Sequence, residues 1–211
     1  MKKQFYASAL ALALLCLYQC ADKKQEVSST STPTTVVVAN PELGGYDSQV
    51  LWGEHLVTIT GCNDCHTPKK MTDRGPIIDT SLRLSGHPAM MPRINVDRKA
   101  MEKKGYVTTM DLTEWVGPWG VSYAANLTPD QTGLGGWKIE NFTRALREGK
   151  FKGLESGRQM LPPMPWEMFM HMTDYEIKAI FAYLQTIKPI SNIVPAALPP
   201  VTAMAPPAPA K

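Results

Sequence analysis

Apolar residues recur at helical spacing in three stretches of the chain. In the clearest, residues 173–176 read Thr-Asp-Tyr-Glu, which matches a capping box, and Pro189 lies where a helix must end. Between them, one helical face collects the apolar side chains Ile177, Ile180, Phe181, Leu184 and Ile187. This pattern predicts an amphipathic helix near the end of the folded region.

Two further helices are predicted upstream. Residues 47–60 carry a partial apolar face and are followed by Gly61, and residues 138–148 carry a stripe of period 3.6 followed by Gly149. Sustained alternation of apolar and polar residues, the sign of a half-buried strand, is nearly absent. The sequence therefore predicts an all-α fold with three or more helices joined by long loops.

Changes in composition divide the chain into four parts. We predict a signal peptide at residues 1–20, a Ser/Thr-rich tether at 21–45, a folded domain at 46–188 and a Pro/Ala-rich disordered tail at 189–211. The tail holds seven prolines in 23 residues. The folded part is long enough to bury a hydrophobic core.

The first twenty residues have the layout of an export signal. Lysines precede an apolar stretch at 9–15, and Leu17 stands three residues before Cys20, as in a loose bacterial lipobox. We expect acylation of Cys20 and a lipid anchor on the periplasmic side of a bacterial membrane. Ordinary cleavage nearby, a retained N-terminal anchor and acylation of Cys16 are the alternatives.

Charge and hydropathy exclude two classes of protein. The formal net charge is only +3, too weak a positive field for a wrapped nucleic-acid partner. The longest apolar run, residues 5–18, is too short for a multi-pass membrane protein.

The only cysteines beyond the leader lie in Cys62-Asn-Asp-Cys65-His66, the C-x-x-C-H signature of c-type haem attachment. The two thiols add to the vinyl groups on one porphyrin edge, and the adjacent imidazole is then placed under the iron. One covalent haem c is predicted, with His66 as an axial ligand. The alternatives are a zinc site, a thioredoxin-like redox pair and a plain disulfide.

The second axial ligand is predicted to be Met164. Prolines at 163 and 165 fix the backbone on both sides, so the loop can hold a thioether sulfur in one place. A soft thioether ligand raises the reduction potential relative to a nitrogen ligand. Met160, His171 and an open sixth position are the alternatives, and any single Met can also be core filler.

Several motifs now carry a resemblance to a known family. They occur in the order Gly61 to His66, Ala-Asn-Leu-Thr-Pro-Asp at 125–130, Thr-Gly-Leu-Gly-Gly-Trp at 132–137, Pro-Met-Pro-Trp at 163–166, and the capped helix from 173. The chain resembles a single-haem class I cytochrome c domain, especially the haem modules of membrane-bound alcohol and gluconate dehydrogenase cytochrome subunits. The resemblance spans about residues 46–189.

The resemblance implies an all-α cytochrome c-like fold around one haem, with Met164 as the axial sulfur. It also implies that the loop from Asn126 to Trp137 lines the haem edge. Trp137 and Arg158 carry N–H donors suited to haem propionates. Those subunits carry several haems, whereas this chain has one C-x-x-C-H motif, and its stretch from 67 to 124 is long and carries no metal motif.

The function expected is electron transfer to and from redox partner proteins, without catalysis by this chain. A basic excess at residues 69–104 is either a docking patch for an acidic partner or a solvated loop. Two alternatives remain. One is a haem enzyme or sensor with an open site, of the peroxidase kind, and the other is a fixed subunit of a larger dehydrogenase or respiratory complex.

Overall fold

The computed structural model of the chain describes residues 40–201 and 203. The predicted signal peptide, the lipidation site at Cys20 and most of the predicted tether lie outside the described residues.

Six α-helices occur in the described part of the chain: α1 (Gln49–Ile59), α2 (Cys62–His66), α3 (Arg98–Lys104), α4 (Ile139–Glu148), α5 (Trp166–Phe169) and α6 (Asp174–Leu184). The three helices predicted from periodicity are confirmed as α1, α4 and α6. The capping box is confirmed as well, since Thr173 accepts from the Glu176 N–H and Glu176 accepts from the Thr173 N–H. None of these helices has both the length and the apolar character that a membrane crossing needs.

The core is centred on the crossing of α1 and α6. Gly53 makes the crossing close, because a Cβ at this position would lie 1.9 Å from the Ala179 carbonyl oxygen. Buried side chains from both helices surround the contact, and α4 adds further apolar residues to the same cluster. Its larger members are Trp52, Leu56, Val57, Leu84, Leu134, Phe142, Leu146, Ile177, Ile180, Tyr183 and Leu184.

The prediction of an all-α fold is wrong. Two small antiparallel sheets occupy the long segment between α2 and α4. One pairs β1 (Lys69–Thr72) with β2 (Gly75–Ile78), and the other has the order β3 (Val107–Thr108), β4 (Glu114–Gly117), β5 (Gly120–Tyr123).

The hydrophobic pattern of the sequence does not predict these strands, for a physical reason. The strands are two to four residues long, and β4 is buried at all four positions, so no alternation of apolar and polar residues develops. The strands are defined by their pairing with one another; for example, Val116 of β4 lies opposite Val121 of β5.

The beginning of the C-terminal tail is held to the domain by long-range hydrogen bonds. Its Asn192 amide nitrogen donates to the carbonyl oxygens of Ser85 (2.7 Å) and His87 (2.9 Å). Further on, Leu198 exchanges two backbone hydrogen bonds with Val121 at the edge of β5. Residues 189–201 therefore run along the domain as a bound strap. Proline-rich composition alone does not reveal these long-range hydrogen bonds.

Candidate functional site

The motif Cys62 to His66 forms the short helix α2 directly after α1. Gly61 separates the two helices in the left-handed conformation, with φ of 72°. A residue with a Cβ is strained in this region, which is why glycine suits the junction. The turn redirects the chain, so that the motif begins a helix of its own.

The two cysteines lie three residues apart on α2, which places both side chains on one helical face. Neither forms a disulfide with another described residue. Burial raises the pKa of both thiols, so both are neutral near pH 7. The Cys62 side chain packs against the hydrophobic core, and its sulfur lies 3.4 Å from the Thr60 hydroxyl.

The His66 ring is oriented by a single backbone acceptor. Its Nδ1 lies 2.7 Å from the carbonyl oxygen of Ala125, and because a carbonyl only accepts, Nδ1 carries the proton. The lone pair of Nε2 is then available to a metal. Burial lowers the pKa of the ring, against the opposing effect of the Ala125 carbonyl, which favours neutral imidazole. The His66 carbonyl in turn accepts from the Gly86 N–H at 2.8 Å.

A buried hydroxyl fixes the end of α2. The fully buried Thr67 hydroxyl donates to Asn63 Oδ1 (3.1 Å) and accepts from the Leu84 N–H (2.9 Å). Arg83 donates to the same Asn63 oxygen at 3.3 Å. These contacts tie the motif to the segment that follows it. Sequence reasoning missed them because the partners in that segment are 17 or more residues from the groups they hold.

The loop that carries Met164 is anchored on both sides. The Ser122 hydroxyl of β5 donates to the Pro162 carbonyl at 2.6 Å, and the Trp166 N–H at the start of α5 donates to the Met164 carbonyl at 3.0 Å. The Met164 side chain is half-buried and packs against the same apolar cluster as Cys62. The structure thus brings the predicted sulfur ligand and one attachment cysteine to one cluster.

Asn126, the first predicted haem-edge residue, holds its own loop together. Its Oδ1 accepts from the backbone N–H (2.9 Å) and the hydroxyl (2.8 Å) of Thr128, and its Nδ2 donates to Thr132 and to the Ile190 carbonyl. The amide is therefore fully committed within the protein. A haem contact of its side chain would have to be apolar.

The two other predicted haem-edge residues differ in the contacts that their side chains make within the protein. Trp137 packs half-buried against the core, and no hydrogen bond joins its indole N–H to another described residue. Arg158 stacks its guanidinium 3.9 Å from the centre of the Phe151 ring and donates to the Gln159 carbonyl. Both roles toward haem propionates remain predictions.

Several cations of the predicted basic segment have partners within the protein. Lys70 lies 3.0 Å from Asp79, Arg98 lies 2.8 Å from Glu102, and Lys69 donates to the carbonyl oxygens of Asp64 and Asp111. Asp79 and Glu102 belong to the segment itself, so these ion pairs leave its basic excess unchanged, and docking of an acidic partner stays a prediction.

Taken together, the residues fit a covalently attached haem. Two neutral thiols share one face of α2, and the next residue is an imidazole whose Nδ1 is bonded and whose Nε2 is available. A thioether lies in an anchored loop on the adjoining apolar cluster. Soft sulfur and neutral imidazole nitrogen are ligands that haem iron accepts.

Known proteins similar to the chain belong to dehydrogenases. The chain is 38% identical to a component of the nicotinate dehydrogenase of Pseudomonas putida over 80 residues, 37% of this chain and 6% of that protein. It is 37% identical to the fructose dehydrogenase cytochrome subunit of Gluconobacter japonicus over 75 residues, 35% of this chain and 15% of that protein. It is 33% identical to the gluconate 2-dehydrogenase cytochrome c subunit of Pantoea cypripedii over 77 residues, 36% of this chain and 17% of that protein.

These matches confirm the resemblance to cytochrome subunits of dehydrogenases over about a third of the chain. The chain spans less than a fifth of the length of the relatives it matches. No family model matches it.

Proposed function

We propose that residues 46–188 form a monohaem c-type cytochrome domain that transfers electrons. The observation that carries the proposal is the His66 ring beside two neutral thiols, with Nδ1 bonded to Ala125 and Nε2 available to a metal. The similarity to cytochrome subunits supports the same activity. When bound, the haem iron supplies one-electron chemistry between Fe(II) and Fe(III).

The protein residues have distinct roles in this proposal. Cys62 and Cys65 would hold the haem covalently, and His66 and Met164 would ligate its iron. The Ala125 carbonyl keeps the His66 ring in one tautomer and orientation, and the prolines around Met164 limit the movement of its sulfur. Because both ligands are held by the fold, neither has to move far when the charge of the site changes. No substrate binds the metal in this proposal, and the chain is not an enzyme.

Location and attachment follow from the sequence motifs. We propose export to the periplasmic side of a bacterial membrane and anchoring through a lipid on Cys20. The partners proposed are redox proteins, a dehydrogenase or a respiratory complex. Mass spectrometry of the mature N-terminus tests the anchor, and a free N-terminus beyond Cys20 would contradict it.

The electron-transfer proposal is tested by the absorption spectrum of the oxidised, exported protein. A sulfur-to-iron charge-transfer band is expected, with no change on adding cyanide or peroxide at concentrations that saturate open haem sites. A high-spin spectrum that shifts with either ligand would instead indicate the open-site enzyme or sensor.

A fixed subunit of a larger dehydrogenase complex is the second candidate. It is favoured because the relatives named above are themselves components of dehydrogenases. Gentle detergent extraction from the native membrane, followed by size-exclusion chromatography, separates the two. Elution of the haem absorbance with a catalytic subunit supports the fixed subunit, and elution as a free monomer supports the mobile carrier.

A further inference from the structure

A chain of buried polar side chains lies outside the attachment motif, in the segment between α2 and α4. The fully buried Thr113 hydroxyl donates to Asp111 Oδ2 at 2.7 Å and lies 2.8 Å from His87 Nδ1. Because the hydroxyl proton is directed at the carboxylate, the hydroxyl oxygen accepts from His87, and His87 Nδ1 carries the proton. The His87 side chain is completely buried, with its ring 4.9 Å from that of Tyr123.

The residues of this chain also bind both backbone polar groups of one residue, Ala124. The His87 N–H donates to the Ala124 carbonyl at 2.9 Å, and the Ala124 N–H donates to the Thr113 carbonyl at 2.9 Å. The side-chain bond between His87 and Thr113 closes this clamp. The next carbonyl along the chain, that of Ala125, is the acceptor for His66 Nδ1.

The same network also reaches the attachment helix. The Lys69 ammonium donates to the Asp111 carbonyl at 2.8 Å and to the Asp64 carbonyl in α2. Gly86, the residue before His87, donates to the His66 carbonyl. The backbone around His66 and the acceptor of its ring are thus connected to one buried cluster.

We propose that His87 is a positioning residue for His66, because it holds the Ala125 carbonyl at the His66 ring through Thr113 and the backbone of Ala124. This inference rests on the proposed function, in which His66 is an axial ligand. A firm acceptor at the remote ring nitrogen fixes the ring and raises its basicity as a ligand. A loosened acceptor makes the imidazole a weaker donor and favours the reduced iron.

The two ring nitrogens of His87 make a sharp test possible. Nδ1 bonds to Thr113, whereas Nε2 has no hydrogen-bond partner among the described residues. Asparagine places its amide nitrogen close to the position of Nδ1, so His87→Asn keeps the donor, and His87→Leu fills similar space without it. His55 is exposed and stacks on Tyr46, so His55→Leu is the matched control.

The experiment uses the haem-loaded full chain and three readouts: the midpoint potential, the NMR signal of the His66 Nδ1 proton in the reduced state, and hydrogen exchange of the Ala124 amide. We expect His87→Leu to speed Ala124 exchange at least tenfold, to shift or broaden the Nδ1 signal and to raise the potential. His87→Asn is expected to restore all three to near the parent values, and His55→Leu to change none.

A structural role alone would give a different result. If His87→Leu lowers the free energy of unfolding but leaves the Nδ1 signal and the potential at the values of His55→Leu, the proposal is overturned. If His87→Leu does not accumulate, Thr113→Val and Thr113→Ser are compared by the same three readouts. Thr113→Ser is expected to keep the parent values, and Thr113→Val to shift them. Equal values in the two variants would overturn the proposal.

Failure of the proposed function has its own signature. If the parent protein holds haem but His66 titrates as a free imidazole, the ligand assignment itself is wrong, and the positioning role falls with it. Unchanged potentials in loaded variants that retain His66 ligation overturn the positioning role alone.

Discussion

Replacing Gly86 with alanine tests how tightly the fold holds the His66 acceptor. Gly86 has φ of +77°, and a Cβ there would lie 2.5 Å from the carbonyl carbon of Ala125 and 2.6 Å from its oxygen. Ordinary van der Waals contact begins at 3.4 Å, so the backbones of residues 86 and 125 must separate by about 0.9 Å. The distance from His66 Nδ1 to the Ala125 carbonyl oxygen is now 2.7 Å. A displacement of that size would bring it close to about 3.6 Å, where a hydrogen bond is lost.

The expected loss of stability follows from three contributions. Left-handed backbone costs alanine about 1–2 kcal/mol, forced separation of packed groups about 1–3 kcal/mol, and a weakened hydrogen bond about 1 kcal/mol. Gly86→Ala is therefore expected to lower the free energy of unfolding by about 3–6 kcal/mol. Urea denaturation of the loaded protein at pH 7 measures it, alongside the midpoint potential.

Gly75→Ala is the matched control. Gly75 has φ of +100°, but nothing lies within 4 Å of its would-be Cβ, so the alanine is strained without a steric clash. It is expected to cost only about 1–2 kcal/mol and to leave the potential unchanged. If the two variants differ by less than about 0.5 kcal/mol and share one potential, the close approach at Ala125 does not hold the ligand, and the reasoning is refuted.

Three further outcomes are expected. Met164→Ala is expected to lower the midpoint potential by roughly 0.1 V or more, within the ~0.8 V range set by axial ligands, and to let the iron bind cyanide. Met160→Ala is expected to do neither. A larger effect of Met160→Ala in redox titration would show that the sulfur ligand is misassigned. Thr67→Val leaves the buried Leu84 N–H without a partner and is expected to lower the free energy of unfolding, measured in urea, by about 2–4 kcal/mol. Thr67→Ser keeps the hydroxyl and is expected to avoid this loss. Equal losses in the two variants would contradict the prediction. Burial lowers the pKa of His87, so its unfolded form takes up a proton near pH 6.5 that the folded form excludes. The contribution of neutral His87 to the free energy of unfolding is then full above that pH and falls toward pH 5 by up to about 1.4 kcal/mol per pH unit. His87→Asn is expected to flatten this pH dependence. Identical slopes for the parent and His87→Asn would contradict the prediction.

Local chemistry made part of the fold predictable. The helix of residues 174–184 is predicted by its capping box and its apolar face. The five residues from Cys62 to His66 are enough to predict the chemistry of the attachment motif. Gly61 and Gly149 lie where helix ends were expected, both in the left-handed conformation. Signals of this kind lie within a few residues of the element they determine.

The remainder depends on contacts between distant parts of the chain. The Ala125 carbonyl that orients His66 is 59 residues away from it, and no property of alanine marks it as an acceptor. Thr113 and Asp111 read as loop residues until β4 and β5 bring them beside His87. The segment between α2 and α4, which carries no motif, therefore supplies the groups around the histidine of the attachment motif.

The most direct test of the account is peptide mapping by mass spectrometry of the natively exported chain. We expect the peptide that contains residues 62–66 to carry one haem through thioethers to Cys62 and Cys65, with one haem per chain and the matching absorption in the visible range. A colourless protein whose Cys62 and Cys65 peptide has the mass of the bare polypeptide, or of a disulfide, would contradict it.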